Sequence, residues 1–249
     1  MNLFPRSSHG ASVSSTSNGF RFTIPESRLE RFRLAQVDSY ARLPRRGFSA
    51  RPPLTVALRA RVSSESIPGT WGFGLWNDPL GLSLGFGGNP ASLPALPNTV
   101  WFFHASPRSY LSFRDDKPAH GFLAQTFSSP QFHPMQVLIG FMLPFSRKRA
   151  RQLLGRIIDE DSATVSADAT QWHSYRLEWS PKGSAFWLDE ALVLETTVSP
   201  RPPLGLVLWM DNQYAAFMPD GTLKWGLEKN LTEAWLEIED LELRTQGRS

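Results

Sequence analysis

The chain contains no cysteine, which excludes disulfides and thiolate metal sites at the outset. It also lacks any run of eighteen consecutive apolar residues, so a membrane-spanning helix is not expected. The opening MNLFPRSSHGASVSSTSNGF has no apolar stretch of the signal-peptide kind, which makes a cytoplasmic location the expectation. Histidine is scarce: the five present are isolated, with no spacing that would set two on one ion. The one metal left open is a structural calcium held by backbone carbonyls and a single Asp. No glycine loop followed by Lys-Ser or Lys-Thr and no Gly-x-Ser-x-Gly elbow occurs, which argues against nucleotide and serine-hydrolase chemistry. Charge of one sign is not in excess either, with 26 Lys and Arg against 23 Asp and Glu. The arginines gather only at 42–51 and 147–156, without a recognition motif, so a nucleic-acid partner is not expected.

What the sequence does have is punctuation and aromatics. Twenty prolines and eighteen glycines are spread along the chain, as many short strands joined by turns require. The expected fold is all-β: a two-sheet antiparallel sandwich with one short helix. It is read as one domain over 20–249, preceded by a loose Ser- and Gly-rich tail over 1–19. In LTVALRARV, Leu54, Val56, Leu58, Ala60 and Val62 share one face while Arg59 and Arg61 share the other, the period of two of a half-buried strand. GFRFTI, RFRLAQVDSYAR, GTWGFGLW, TVWFFHA, SYLSFRD, GFLAQTFSS, WHSYRLEWS, PPLGLVLWMDNQYA and AWLEIEDLELRT read as further strands. LGLSLGFGGNPASLPALPN reads as a loop able to fold over a groove. The expected helix is SRKRARQLLGRIIDEDSA, with Ser146 as its cap and Leu153, Leu154, Ile157 and Ile158 as its apolar stripe. It stands either as a lid or as an amphipathic helix packed outside the sheet.

Nine tryptophans and seventeen phenylalanines exceed what a core of this size needs, which points to an aromatic ligand groove. The strands expected to face it supply Trp71, Trp76, Trp101 and Trp209. The polar groups within their reach are Asn77, Asp78, His104, Asp211, Asn212 and Tyr214. His104 is read either as a general base or as a core histidine bonded to backbone. Asp78, in Asn-Asp-Pro, is read as an acid or as a turn cap, and Asp211 as an acid if burial raises its pKa.

WHSYRLEWSPKGSAFWLDEALVLE resembles a hairpin of family 16 glycoside hydrolases and their concanavalin A-like jelly-roll relatives. The likeness falls on Trp172, His173, Tyr175, Glu178, Trp179, Pro181, Trp187 and Asp189, with Glu190 where that family has Gly. LRARVSSESIPGTWGFGLWNDP and WLEIEDLELRT extend it over about 54–80 and 170–244. The resemblance implies a jelly roll that recognises carbohydrate. A retaining glycosidase needs two carboxylates about 5 to 5.5 Å apart, and the family supplies them from an E-x-D-x-E type strand. Where that strand should fall, this chain has NTVWFFHASPRSY, with no acid. Asp159 with Asp161, and Glu237 with Glu239, are the remaining acidic alternations and read as solvated faces. The sequence thus leads to a glycan-binding sandwich, either a pseudo-enzyme or an atypical glycosidase acting on an oligosaccharide. The alternative is an intracellular cyclase- or isomerase-type enzyme that reuses the groove for a less polar small molecule, with His104, Asp78 or Asp211 moving a proton. A groove filled by the chain's own side chains is the third reading.

Overall fold

A computed structural model describes residues 1–28, 31–41, 43–79, 95–130 and 146–245. Two seven-stranded antiparallel sheets form a jelly-roll sandwich. The first sheet runs in the order β1 (Phe4–Ser8), β4 (Leu34–Asp38), β13 (Gly205–Asp211), β6 (Thr70–Trp76), β7 (Thr99–Ala105), β8 (Gly121–Ser128) and β9 (Asp159–Thr164). The second runs β12 (Ala191–Thr196), β11 (Gly183–Leu188), β10 (His173–Ser180), β5 (Leu54–Val62), β16 (Ala234–Thr245), β3 (Gly19–Ile24) and β2 (Ser12–Ser15). A two-stranded ribbon of β14 (Gln213–Phe217) and β15 (Leu223–Leu227) continues from the end of β13.

The second sheet follows its alternation closely. Leu54, Val56, Leu58, Ala60 and Val62 of β5, and Tyr175, Leu177 and Trp179 of β10, are buried between the sheets, while Arg59, Arg61, Arg176 and Glu178 point out. On the outer side Arg61 Cζ lies 4.8 Å from the Trp172 ring centre and Arg21 Cζ lies 4.4 Å from that of Trp235, so the basic residues cover the indole faces as cation–π partners. Across the interface Tyr175 meets Phe73 at 5.0 Å and Phe102 at 5.1 Å, and Phe102 meets Phe186 edge-on at 5.4 Å. Each fully buried side chain of this kind contributes about 1.5 to 3 kcal/mol relative to exposure.

Three expectations from the sequence are corrected. The stretch read as a loose tail contains two strands, β1 pairing with β4 and β2 with β3, so each sheet gains an edge from it. Its polar composition is that of edge strands with one wet face, and Arg6 Nε donates to the buried Asp38 Oδ2 at 2.8 Å. The helix is shorter than its pattern: α1 spans Arg147–Ile157, Ser146 makes no side-chain cap, and the residues it buries are Ala150 and Arg151. Asp159–Thr164 pairs with β8 as a strand instead, because completing the sheet edge outweighs the weak local propensity of Asp-Glu-Asp-Ser. Arg151 fastens the helix by donating to Phe217 O at 2.9 Å and Ser112 O at 3.1 Å. Finally, SYLSFRD is not a strand; within it Tyr110 makes only a parallel bridge to Ala216. Most of the loop expected over the groove, residues 80–94, lies outside the described residues. No described helix is long and apolar enough to cross a membrane.

Candidate functional site

The inner strands of the first sheet carry large side chains on both faces, and strand parity decides which way each points. β6 sends Trp71, Phe73 and Leu75 into the core between the sheets. Thr70, Gly72, Gly74 and Trp76 therefore face away from the second sheet. Antiparallel register sets Trp101 opposite Gly74 and Phe103 opposite Gly72 on β7, and Trp209 opposite Gly72 and Asp211 opposite Thr70 on β13.

This outer face gathers a second apolar cluster, separate from the core: Leu34, Tyr40, Phe48, Phe103, Val207 and Trp209, with Trp76 and Trp101 packed against it. The three indoles converge, with ring centres 5.2 Å apart for Trp101 and Trp209, 5.8 Å for Trp76 and Trp101, and 6.3 Å for the near-parallel Trp76 and Trp209. Two glycines make room for the layer. A Cβ on Gly72 would stand 2.8 Å from the Trp209 ring, and one on Gly205 would stand 2.4 Å from the ring of Tyr40. Tyr40 in turn accepts from Trp76 Nε1 at 2.6 Å and from Gln36 Nε2 at 3.2 Å. Trp209 and Phe103 are buried, whereas Trp76 and Trp101 keep part of their surface open.

Two polar chains are tied to these rings. Trp209 Nε1 donates to Thr70 Oγ1 at 3.0 Å, and the Thr70 hydroxyl donates to Asp211 Oδ1 at 3.0 Å, which also accepts from Gln213 N at 2.9 Å. Burial pushes the Asp211 carboxyl up to about 7 against these bonds. On the other side Trp101 Nε1 donates to Gln125 Oε1 at 3.2 Å, and Gln125 Nε2 reaches Glu160 Oε1 at 3.5 Å. Burial raises the Glu160 carboxyl too, opposed by bonds such as that from Phe113 N at 2.8 Å. A third carboxylate, Asp38, is fully occupied by Arg6, Gln36 and the backbone N–H groups of Tyr40 and Ala41.

These acids do not form a pair. Asp211 on β13 and Glu160 on β9 are separated by four strand steps, about 19 Å at 4.8 Å per step. Asp38 and Asp211 lie on neighbouring strands but four residues apart along them, about 14 Å at 3.4 Å per residue. The outer positions of β7 are Thr99, Trp101, Phe103 and Ala105, with no carboxylate among them. Of the residues outside the described set, only Glu30 is acidic.

Of the residues expected to build the site, Trp76, Trp101, Trp209 and Asp211 come together on this face, and the others do not. Trp71 and His104 point between the sheets, stacked at 5.4 Å and 11°. Burial pushes the His104 pKa down to about 4, so its imidazole is uncharged at neutral pH, and its place against Trp71 puts it in the core and not on the outer aromatic face. Asn77 is engaged at both ends of its amide, Nδ2 donating to Leu96 O at 2.9 Å and Oδ1 accepting from Asn98 N at 2.9 Å. Asn212 likewise joins Arg33 N, Arg31 O and Glu228 O. Both are turn-fixing residues with no free polar atom for a ligand. Asp78 is fully buried in the turn after β6 at φ 48°, its backbone carbonyl accepting from Arg45 Nε at 3.2 Å, and this bond does not involve the three indoles. Tyr214 sits on β14 under the guanidinium of Arg108, 3.9 Å from its ring centre, away from the indoles. Sequence reasoning missed Tyr40, Thr70, Gln125 and Glu160. Parity could have found Thr70 and Gln125, which are opposite Asp211 and Trp101 in register. No three His, Asp or Glu side chains gather as a metal site among the described residues.

Comparison with known proteins places the chain in no family: no family model matches, and no curated protein matches. Solved structures do match in overall shape. A legume lectin-like domain from Entamoeba histolytica aligns with TM-score 0.48 and 10% identity over 99% of this chain and 91% of its own. A Flavobacterium laminarinase aligns with TM-score 0.48 and 9% identity over 93% and 80%. A GlcNAcα1-4Gal-releasing endo-β-galactosidase from Clostridium perfringens aligns with TM-score 0.43 and 13% identity over 92% of this chain. The chain spans 53% of that enzyme's length and 17% of a sialidase that also matches.

Proposed function

We propose that the outer face of the first sheet binds an oligosaccharide, with the open surfaces of Trp76 and Trp101 as the platform for sugar rings. The observation that carries this reading is the convergence of three indoles within 6.3 Å of one another beside a buried carboxyl whose pKa is near 7. Aromatic faces attract the C–H faces of sugars, and Asp211, protonated for part of the time at neutral pH, can both donate and accept a hydrogen bond. The hairpin likeness over 172–190 sets the ligand class by analogy. Hydrolysis is not part of the proposal: Asp211 stands about 14 Å from Asp38 and about 19 Å from Glu160, beyond what either the retaining or the inverting geometry uses.

Titration calorimetry with neutral β-glucan and β-galactan oligosaccharides tests it. Saturable binding is expected, and Trp101→Ala should weaken it about tenfold or more, which is about 1.4 kcal/mol. Absence of binding to every oligosaccharide, with uptake of apolar molecules instead, would sink the reading.

A second reading is favoured by the apolar shell of Leu34, Phe48, Phe103 and Val207 around the indoles. On it, the face holds a less polar intracellular metabolite, and Asp211 alone moves the proton, since an acid near neutral pKa suits that role. Asp211→Asn would then abolish turnover and leave binding intact.

A further inference from the structure

A cavity of about 470 Å³ opens beside the β14–β15 ribbon, lined by Arg108, Ser109, Tyr110, His120, Tyr214 and Lys224 with an apolar floor that includes Ala216 and Met218. Its size is within the range of small-molecule sites, and its polar lining is cationic and hydroxylic. Arg108 Cζ lies over the Tyr214 ring, 3.9 Å from its centre, while the side chain stays 58% exposed. A guanidinium held over an aromatic ring can still donate its N–H groups to an acceptor. Lys224 is across the ribbon, in register with Ala216, on the same side as Tyr214.

Two carboxylates face these cations, and neither closes the site. Glu228 Oε1 stands 3.8 Å from Arg108 Nε, but its oxygens are already taken by Gly69 N at 2.8 Å and Ser106 Oγ at 3.0 Å. Asp220, near Lys224, accepts from Thr222 N at 2.7 Å. The second, independent observation is Ser109. It lines the cavity wall at 3% exposed, and its Oγ, shielded from the cavity in this rotamer, has no hydrogen-bond partner. A buried hydroxyl left unpaired is costly, and rotation about χ1 to meet a ligand oxygen would relieve that cost.

We infer that this cavity is a binding site for a small molecule carrying an oxyanion (a carboxylate, sulfate or phosphate group), held by Arg108 and Lys224 with Ser109 as hydroxyl donor. It is distinct from the aromatic face and does not depend on what that face binds.

The test uses the full chain with inorganic phosphate, sulfate and glucuronate as probes and glucose as the neutral counterpart, followed by NMR titration. At least one anion should bind saturably, with amide shifts at Ser109, Tyr214 and Lys224, and which anion does so identifies the source of the charge. Glucose should bind about tenfold more weakly or not at all. Arg108→Gln and Lys224→Gln, both replacing exposed cations, should each weaken the anion about tenfold, or about 1.4 kcal/mol. Ser109→Ala should weaken it by a smaller factor, and Trp101→Ala should leave it unchanged. No saturable anion binding, equal affinity for glucose and glucuronate, or unchanged anion affinity in folded Arg108→Gln and Lys224→Gln chains would overturn the inference.

Discussion

Between about pH 4 and pH 6.5 two buried groups of the first sheet pull stability in opposite directions. His104, pressed against Trp71 with its Nδ1 unpartnered, has its pKa pushed by burial from 6.5 down to about 4. The unfolded chain takes up a proton there that the folded chain refuses. Its contribution is therefore complete above 6.5 and is lost as pH falls toward 4. At 1.36 kcal/mol per pKa unit, this amounts to about 3 kcal/mol. Asp211 behaves in the reverse sense. Its carboxyl is pushed up from 3.8 to about 7, so the folded chain keeps a proton that the unfolded chain has released. That group destabilises progressively as pH rises from about 4, fully above about 7, by up to about 4 kcal/mol.

The two nearly cancel in the native sequence, whose stability should change little between pH 4 and 6.5 on their account. Each substitution should unmask the other group. Asp211→Asn keeps an acceptor for Thr70 and Gln213 but cannot titrate, so the variant should lose about 3 kcal/mol on going from pH 6.5 to pH 4 relative to the native chain. His104→Asn should instead lose stability as pH rises over the same interval. Urea unfolding at half-unit pH steps gives the three profiles, with midpoint and slope at each. Other shifted acids, Glu160 raised by burial and Glu237 lowered overall by its bonds to Arg61 and Arg21, are common to all three chains and drop out of the differences. Parallel profiles for the three proteins would refute the reasoning, because they would mean that neither group changes its proton affinity on folding.

Gly205→Ala should cost about 1 to 3 kcal/mol, since its Cβ would meet the Tyr40 ring at 2.4 Å; thermal melts read this directly, and an unchanged midpoint would show that Tyr40 yields freely. Glu190→Gly should stabilise the hairpin by about 1 kcal/mol, because Asp189 and Glu190 both hold positive φ, 46° and 67°, where the second turn position favours glycine. A urea midpoint that stays or falls would contradict that.

Much of the sandwich could be read from alternation alone. The pattern in LTVALRARV needs only the period of two, and β5 buries the five residues it marked. The site was legible to the extent that parity was applied. Trp209 and Asp211 are two apart and share a face; Trp101 and His104 are three apart, as Trp71 and Trp76 are five apart, so each of those pairs must split across the sheet. What the sequence does not say is which half of a split pair turns outward, because β7 reads Val-Trp-Phe-Phe-His, apolar on both faces. Glu160 was hidden for a different reason. An acidic run with weak strand propensity became a strand only through its pairing with β8. Asn212 looked like a free turn residue because the carbonyl of Arg31 and the N–H of Arg33, which bind its amide, are about 180 positions away in the chain.

The outer aromatic layer follows from a simple constraint on central strands. β6 has neighbours on both sides, so its outer face must be covered by side chains from those neighbours if its own are absent, and Gly72 and Gly74 are absent ones. The Trp209 indole fills the space over Gly72 and is itself overlaid by Trp76, 5° from parallel. Trp209 therefore belongs to the layer as structure, whereas Trp76 and Trp101 form its open surface. This separates a binding face from a merely filled one. Trp209→Ala should lower stability and affinity together, by opening a cavity of the kind that costs about 3 to 5 kcal/mol. Trp101→Ala should lower affinity while leaving most of the stability in place. If instead Trp101→Ala costs as much stability as Trp209→Ala and no ligand is lost, the indoles are the chain's own filling and the face binds nothing.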